Sequence, residues 1–207
     1  MHVYYKIIAS FINFTSYIFD FLPYFKCLDC FSDSQLNKKL DQEFPEISDG
    51  GSFPKESLNL GENLKFLINE LEGEEFKKVL EKKFNVDLSD SEVISTLRGY
   101  SREKDGQIHT DSKSKILTVL LYLNHEWKEE TGNLRMLSNK NDIESYFDEM
   151  SSESGNMIAF RVTENCWHGF LPFEGTRKSI QLNYVFKKSL SIHNFRHKLS
   201  AIFKKKT

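Results

Sequence analysis

The chain has too few cysteines to be held together by them. Three in 207 residues cannot all pair internally and show no disulfide framework, which excludes the small secreted scaffolds that depend on one and points to a reducing, cytoplasmic setting. Charge of one sign is also missing. A formal net charge of -2 lacks the Lys and Arg excess needed to neutralise phosphates, so no specific nucleic-acid partner is expected. No clean apolar run is present at the start. The first 22 residues are rich in Tyr, Phe and Ile, but Lys6, Asn13 and Asp20 interrupt them and no small-residue cleavage site follows. A secretory leader or spanning helix needs a cleaner run. The segment reads as a packed amphipathic helix or strand, with a membrane anchor as the alternative. Nor does any internal repeat or low-complexity tract separate two lobes, and the length suits one domain with terminal extensions.

Hydrophobic residues make up 39% of the chain, too many for a protein disordered throughout. Phe alone occurs 18 times, and large rings favour pleated surfaces. From Asp33 to Phe44, Leu36, Leu40 and Phe44 recur at intervals of four, which predicts a helix begun by an Asp or Ser cap and ended by Pro45. Residues 46–57, with two Gly and one Pro, read as a loop. Two core-facing helices follow, carrying Leu64, Leu67, Ile68 and Leu71, then Phe76, Val79, Leu80 and Phe84, with Gly73 between them. From Glu92 the period changes. Short apolar or alternating runs at Val93–Leu97, Ile116–Leu123, Leu134–Leu137, Met157–Val162, Trp167–Phe173 and Ile180–Phe186 predict six strands without long helices between them. The expected fold is mostly β with N-terminal helices, an antiparallel sandwich or barrel braced on one face by the helical third.

Three divisions follow: an aromatic N-terminal segment 1–22, a domain 23–188, and a tail 189–207. Residues 187–207 hold seven Lys and Arg and no acid, so the remainder of the chain is strongly acidic. Ile192, Phe195, Leu199, Ile202 and Phe203 recur at three and four, making the tail a basic amphipathic helix. It either docks on the domain by its apolar stripe or makes peripheral contact with an anionic membrane or polyanion. Cys27 and Cys30 form a C-x-x-C pair that reads as a redox or zinc half-site. His193 and His197 lie too far along the chain to complete a zinc finger with them.

The chemistry centres on Gln107-Ile108-His109-Thr110-Asp111 and Trp167-His168-Gly169. Two residues apart on a strand, His109 and Asp111 point to one side, so an imidazole and a carboxylate converge. A second histidine several strands later completes two imidazoles and one carboxylate, which leave three open positions on an octahedral iron. By itself H-x-D is weak, since a strand histidine often bonds only a neighbour. Arg177, nine residues after His168, adds weight: inside a small barrel a guanidinium needs an anionic partner, although an Arg at a strand start often just meets solvent.

Taken in order, His109-Thr110-Asp111, Thr118 to Asn124, Gly132 to Leu137, Gly155 to Phe160, Trp167-His168-Gly169 and Arg177 resemble the Fe(II)- and 2-oxoglutarate-dependent dioxygenases of the prolyl 4-hydroxylase-like superfamily. The resemblance covers roughly residues 23–186, firmly from Val93 onward. It implies a double-stranded β-helix, the jelly-roll or cupin-like form. It further implies that His109, Asp111 and His168 bind Fe(II), that Arg177 holds the distal carboxylate of 2-oxoglutarate, and that Tyr122 hydrogen-bonds the same carboxylate; the plain alternative for Tyr122 is a strand aromatic. Gln181 stands where the oxygen-sensing relatives usually have Thr. Tyr100 resembles a co-substrate-facing tyrosine but is one residue nearer the metal ligands. The implied reaction consumes O2, decarboxylates 2-oxoglutarate to succinate and CO2, and hydroxylates an unactivated C–H, with ascorbate as an accessory reductant. Asp111 favours hydroxylation, since halogenases of this class lack the carboxylate ligand.

The substrate is open among a peptidyl residue, an amino acid or other small molecule, and a glycan precursor. Arg98, Arg102, Lys104, Lys113 and Arg135 fall near the expected pocket or its lid, which suits an anionic or sugar-phosphate substrate, though each also reads as a solvated charge. The rival readings are a metal-binding sensor of the same fold without turnover, and a cupin enzyme that does not use 2-oxoglutarate. A cupin would carry more histidines and no distal Arg.

Overall fold

A computed structural model describes residues 16–19, 22–31 and 34–189. Most of the N-terminal aromatic segment, and the basic tail with His193 and His197, lie outside the described residues. Two antiparallel sheets form the core. The larger has seven strands in the order β1-β2-β8-β5-β10-β4-β3 and the smaller has three, β7-β6-β9. Their ranges are β1 Ser16–Phe19, β2 Leu22–Cys27, β3 Phe53–Pro54, β4 Ser91–Ser101, β5 Lys115–Tyr122, β6 Leu134–Leu137, β7 Tyr146–Met150, β8 Met157–Arg161, β9 His168–Gly169 and β10 Gly175–Phe186. The helices are α1 Ser34–Glu43, α2 Glu62–Glu72 and α3 Glu74–Phe84.

All three helices occur where the period of about 3.6 placed them. Leu64, Leu67, Ile68 and Leu71 are buried on α2, and Phe76, Leu80 and Phe84 on α3. Glu43, at the end of α1, accepts the backbone N–H groups of Asn63 at 2.7 Å and Leu64 at 3.2 Å, so one helix caps the next. In α3, Glu74 and Glu75 open the first turn and Lys82 and Lys83 close the last, matching the helix dipole, and Asn85 ends it in the left-handed region at φ 48°.

The helices cover one face of the large sheet, as expected. Strand alternation divides the two faces. On β5, Leu117, Val119 and Leu121 join the cluster beneath the helices, while Tyr122 joins Leu134, Met136, Ile158 and Phe160 between the sheets. On β10, Ile180, Leu182 and Tyr184 face the helices, whereas Ser179, Gln181 and Asn183 line a cavity between the sheets. A polar interior face on strands whose outer face is apolar marks where the site lies.

Three short strands are not foreseen in the sequence, β2, β3 and β7, none of which has a clear alternating pattern; β1, which pairs antiparallel with β2, falls in the N-terminal segment read as helix or strand. Trp167–Phe173 contracts to the two residues of β9. Cys27 and Cys30 are bonded to each other, Cα to Cα 6.0 Å, and both are buried, so the pair is a local bridge and not a zinc half-site; Cys166 is free and buried. Among the described residues no helix is long and apolar enough to cross a membrane.

Candidate metal centre and its cavity

His109 lies in the connection between β4 and β5 and is held by the small sheet: its N–H donates to the His168 carbonyl at 3.0 Å, and the His168 N–H returns the bond at 3.0 Å. This isolated bridge brings the two imidazoles to a centroid separation of 4.3 Å. Asp111, two residues on, adds its carboxylate, and one ligand atom from each of the three lies within 4.8 Å of the others. Each ring is oriented by a backbone carbonyl. His109 Nδ1 meets Gln107 O at 2.8 Å and His168 Nδ1 meets Cys166 O at 2.7 Å. With Nδ1 carrying the proton toward a carbonyl, each Nε2 keeps its lone pair, the tautomer a metal ligand needs.

The electrostatics suit a cation. Burial, then the neighbouring His109, push the His168 imidazole down to about 4, so it is neutral at ordinary pH. Burial alone would raise the Asp111 carboxyl, yet Lys115, His168 and Thr118 hold it below the usual carboxylate range. Lys115 Nζ lies 2.7 Å from Asp111 Oδ1 and Thr118 Oγ1 donates to Oδ2. A carboxylate has about four lone-pair sites, so these bonds leave room for a metal. Two imidazoles and one carboxylate on one side of an open cavity fit a divalent iron.

The cavity is about 460 Å³, within the range of small-molecule sites. Arg177 enters it from the start of β10 and is 5% exposed. Its Nε donates to Gly132 O at 2.7 Å and its Nη2 to the Tyr122 hydroxyl at 3.2 Å. Its guanidinium also lies over the Phe170 ring, 4.2 Å from the centroid. No carboxylate pairs with it among the described residues. Since Tyr122 accepts from Arg177, its own hydroxyl proton is free to donate to a ligand. Arg177 and Tyr122 thus face the same cavity as the triad and are built to receive an anion there.

Gln181 also lines the cavity, with its amide donating to Asn183 Oδ1 at 3.1 Å. Tyr100 does not. Its hydroxyl donates to Glu174 Oε1 at 3.2 Å outside the cavity. The register shift between Thr176 and Ser179, where β10 carries one more residue than β4, separates the end of β4 from the cavity wall. Arg98, two residues earlier, occupies the wall instead. Of the other cations near the expected pocket, Lys104 lines the cavity, whereas Arg102 pairs with Asp105, Lys113 with Glu164, and Arg135 with Glu144 and Glu149. One residue had escaped notice: Ser179, buried in the cavity wall with no partner for its hydroxyl. Its place two residues after Arg177 on a strand was the available signal.

Comparison with known proteins agrees with this geometry. Residues 95–185 match the 2OG-Fe(II) oxygenase superfamily, a segment that begins in β4, ends in β10 and contains the triad, Tyr122 and Arg177. Among solved structures, the chain is similar to a Pseudomonas putida prolyl-4-hydroxylase at 14% identity and a TM-score of 0.57, over 87% of this chain and 99% of that one. It is similar to a prolyl 4-hydroxylase from Phytophthora capsici at 17% identity and a TM-score of 0.52, over 80% of this chain and 59% of that one. A truncated viral collagen prolyl hydroxylase from Paramecium Bursaria Chlorella virus-1 aligns at 16% identity and a TM-score of 0.50, over 78% of this chain and 89% of that one. Such low identities establish a shared fold, the double-stranded β-helix. No curated protein matches the chain.

Proposed function

We propose that the chain, of which residues 95–185 match the 2OG-Fe(II) oxygenase superfamily, is an oxidoreductase of the dioxygenase class that hydroxylates an unactivated C–H through the residues described above. His109, Asp111 and His168 would hold Fe(II), and Arg177 with Tyr122 would hold the distal carboxylate of 2-oxoglutarate. Bound iron and 2-oxoglutarate supply the activation of O2, with release of succinate and CO2. The protein's part is positional. The carbonyls of Gln107 and Cys166 fix the two imidazoles, Arg177 and Tyr122 fix one end of the co-substrate, and the apolar wall of Leu120, Leu134 and Phe170 excludes water from the reacting centre.

One observation carries this assignment. Arg177 is buried without an acidic partner and opens onto the cavity that holds the triad, a placement that is costly unless an anionic ligand completes it. Succinate formation coupled to oxygen uptake by the Fe(II)-loaded protein tests it. Metal and 2-oxoglutarate binding with no succinate, across a panel of peptidyl, amino-acid and glycan substrates, would instead favour a sensor of the same fold. Peptidyl proline belongs in that panel because the similar structures are of prolyl hydroxylases. The cytoplasm is the compartment we propose, on the lack of a disulfide framework of the kind on which small secreted domains rely; the local Cys27–Cys30 bridge is the one feature that runs against it. The basic tail at 189–207 would add peripheral contact with anionic membranes.

A further inference from the structure

We propose that the cavity contains a second anion-binding position at Arg98, separate from the one at Arg177, and that the molecule hydroxylated here carries a carboxylate or phosphate group that Arg98 engages. This rests on the function proposed above and names the chemical class of its substrate.

Arg98 projects from β4 into the cavity. The register pairs Arg98 with Ser179 and Ser179 with Tyr122, so Arg98 stands across β10 from Tyr122, beside Arg177 and not in its place. Its Nε donates to Ser52 Oγ at 2.8 Å, which fixes the plane of the guanidinium. No carboxylate pairs with it among the described residues. Asp105, the nearest acid lining the cavity, binds the Arg102 side chain at 2.8 Å and the Arg102 backbone N–H at 3.0 Å. Burial, then the neighbouring Arg177, push the Arg98 guanidinium down from its ordinary value. An arginine does not respond by losing its proton, so two adjacent guanidiniums, neither in an ion pair with a carboxylate among the described residues, stand in one cavity with Asp105 acting on Arg98 only at longer range.

2-Oxoglutarate cannot satisfy both. It has two carboxylates, of which Arg177 would hold the distal one, and the keto-acid end would be taken up by the metal that His109, Asp111 and His168 would hold. A further anion is needed, and the planar fork of Arg98 suits a carboxylate or phosphate. Lys104, on the same cavity wall, adds positive charge. A cavity of about 460 Å³ admits a small ligand group beside the co-substrate.

The experiment is calorimetry on the anaerobic Fe(II)-loaded chain saturated with 2-oxoglutarate, titrated in separate arms with inorganic phosphate and with acetate. Wild type should take up one anion per chain without releasing 2-oxoglutarate, and the stronger arm distinguishes a phosphorylated from a carboxylated substrate. Arg98→Met should weaken that binding roughly tenfold or more, Arg98→Lys should recover part of it, and both variants should still bind 2-oxoglutarate. The inference is overturned if neither anion binds wild type, if Arg98→Met and wild type bind the anions equally, or if the anions displace 2-oxoglutarate. Failure of wild type to bind 2-oxoglutarate at all would instead bring down the function on which the inference depends.

Discussion

Replacing Arg177 by Ala should abolish most 2-oxoglutarate affinity while sparing the metal. Two of the five guanidinium N–H donors are spent on Gly132 O and the Tyr122 hydroxyl, so three remain for a ligand in the cavity that Arg177 lines. The side chain is 5% exposed, so a bound carboxylate would be paired with it in a largely desolvated setting. Truncating one partner of such a pair costs roughly 2 to 5 kcal/mol, or about 30- to several thousand-fold in the dissociation constant. Arg177→Lys keeps the charge but loses the planar fork, so it should fall between wild type and Ala and raise the apparent Michaelis constant for 2-oxoglutarate more than it lowers iron affinity. Arg177→Ala also leaves the Gly132 carbonyl without its partner, so thermal melts must accompany the binding data. Calorimetry on anaerobic Fe(II)-loaded protein is the assay. Equal 2-oxoglutarate binding by wild type and a folded Arg177→Ala would refute the anchor and, with it, the co-substrate assignment.

Asp111→Ala should lower Fe(II) affinity by at least about 100-fold, more than the loss of an outer partner typically costs, because two neutral imidazoles cannot offset a divalent charge and the Lys115 ammonium is left facing the site; full iron occupancy in metal analysis of the mutant would contradict this. His168, held down to about 4 by burial, makes the metal-free protein acid-sensitive. The unfolded chain takes up the proton near pH 6.5 and the folded chain only near 4, so this contribution is complete above about 6.5 and is lost as pH falls toward 4, about 3 kcal/mol in all. Melting temperatures of metal-free wild type should drop across that window and those of His168→Gln should drop less; parallel curves would dismiss the idea. Deleting residues 189–207 should leave turnover intact and reduce co-sedimentation with anionic vesicles at low salt, each basic residue contributing on the order of 1 kcal/mol at the surface, and equal partitioning with and without the tail would remove the membrane proposal.

The two-residue spacing of His109 and Asp111 and the later His168 made the triad legible in the chain, but the expected shared strand is not there: His109 and Asp111 lie in the connection between β4 and β5, and the isolated bridge from His109 to His168 brings the ligands together. The helices were legible from the regular spacing of their apolar residues. Tyr100 was misplaced because parity holds only while pairing is regular. Thr96 and Arg98 keep their face toward the cavity, but the extra residue of β10 between Thr176 and Ser179 re-aims the end of the pair, and no local sequence pattern announces that bulge. Strand β7, Tyr-Phe-Asp-Glu-Met, gave no signal because it lies at the edge of the small sheet with few buried positions. Its two acids serve the tertiary structure instead, Asp148 accepting from Tyr24 at 2.8 Å and Glu149 from Arg135 at 2.6 Å.

The backbone bridge between His109 and His168 bears on the order in which the protein is made and loaded. Strands β5, β6, β7 and β8 lie between the two residues in the chain, so the bridge closes a long loop, and such contacts form only after the entropy of closure has been met by other pairings. A nascent chain that has not yet exposed His168 to solution has no iron site, and an extended one has no reason to bring the two imidazoles together. Iron therefore cannot template this fold as zinc templates a finger.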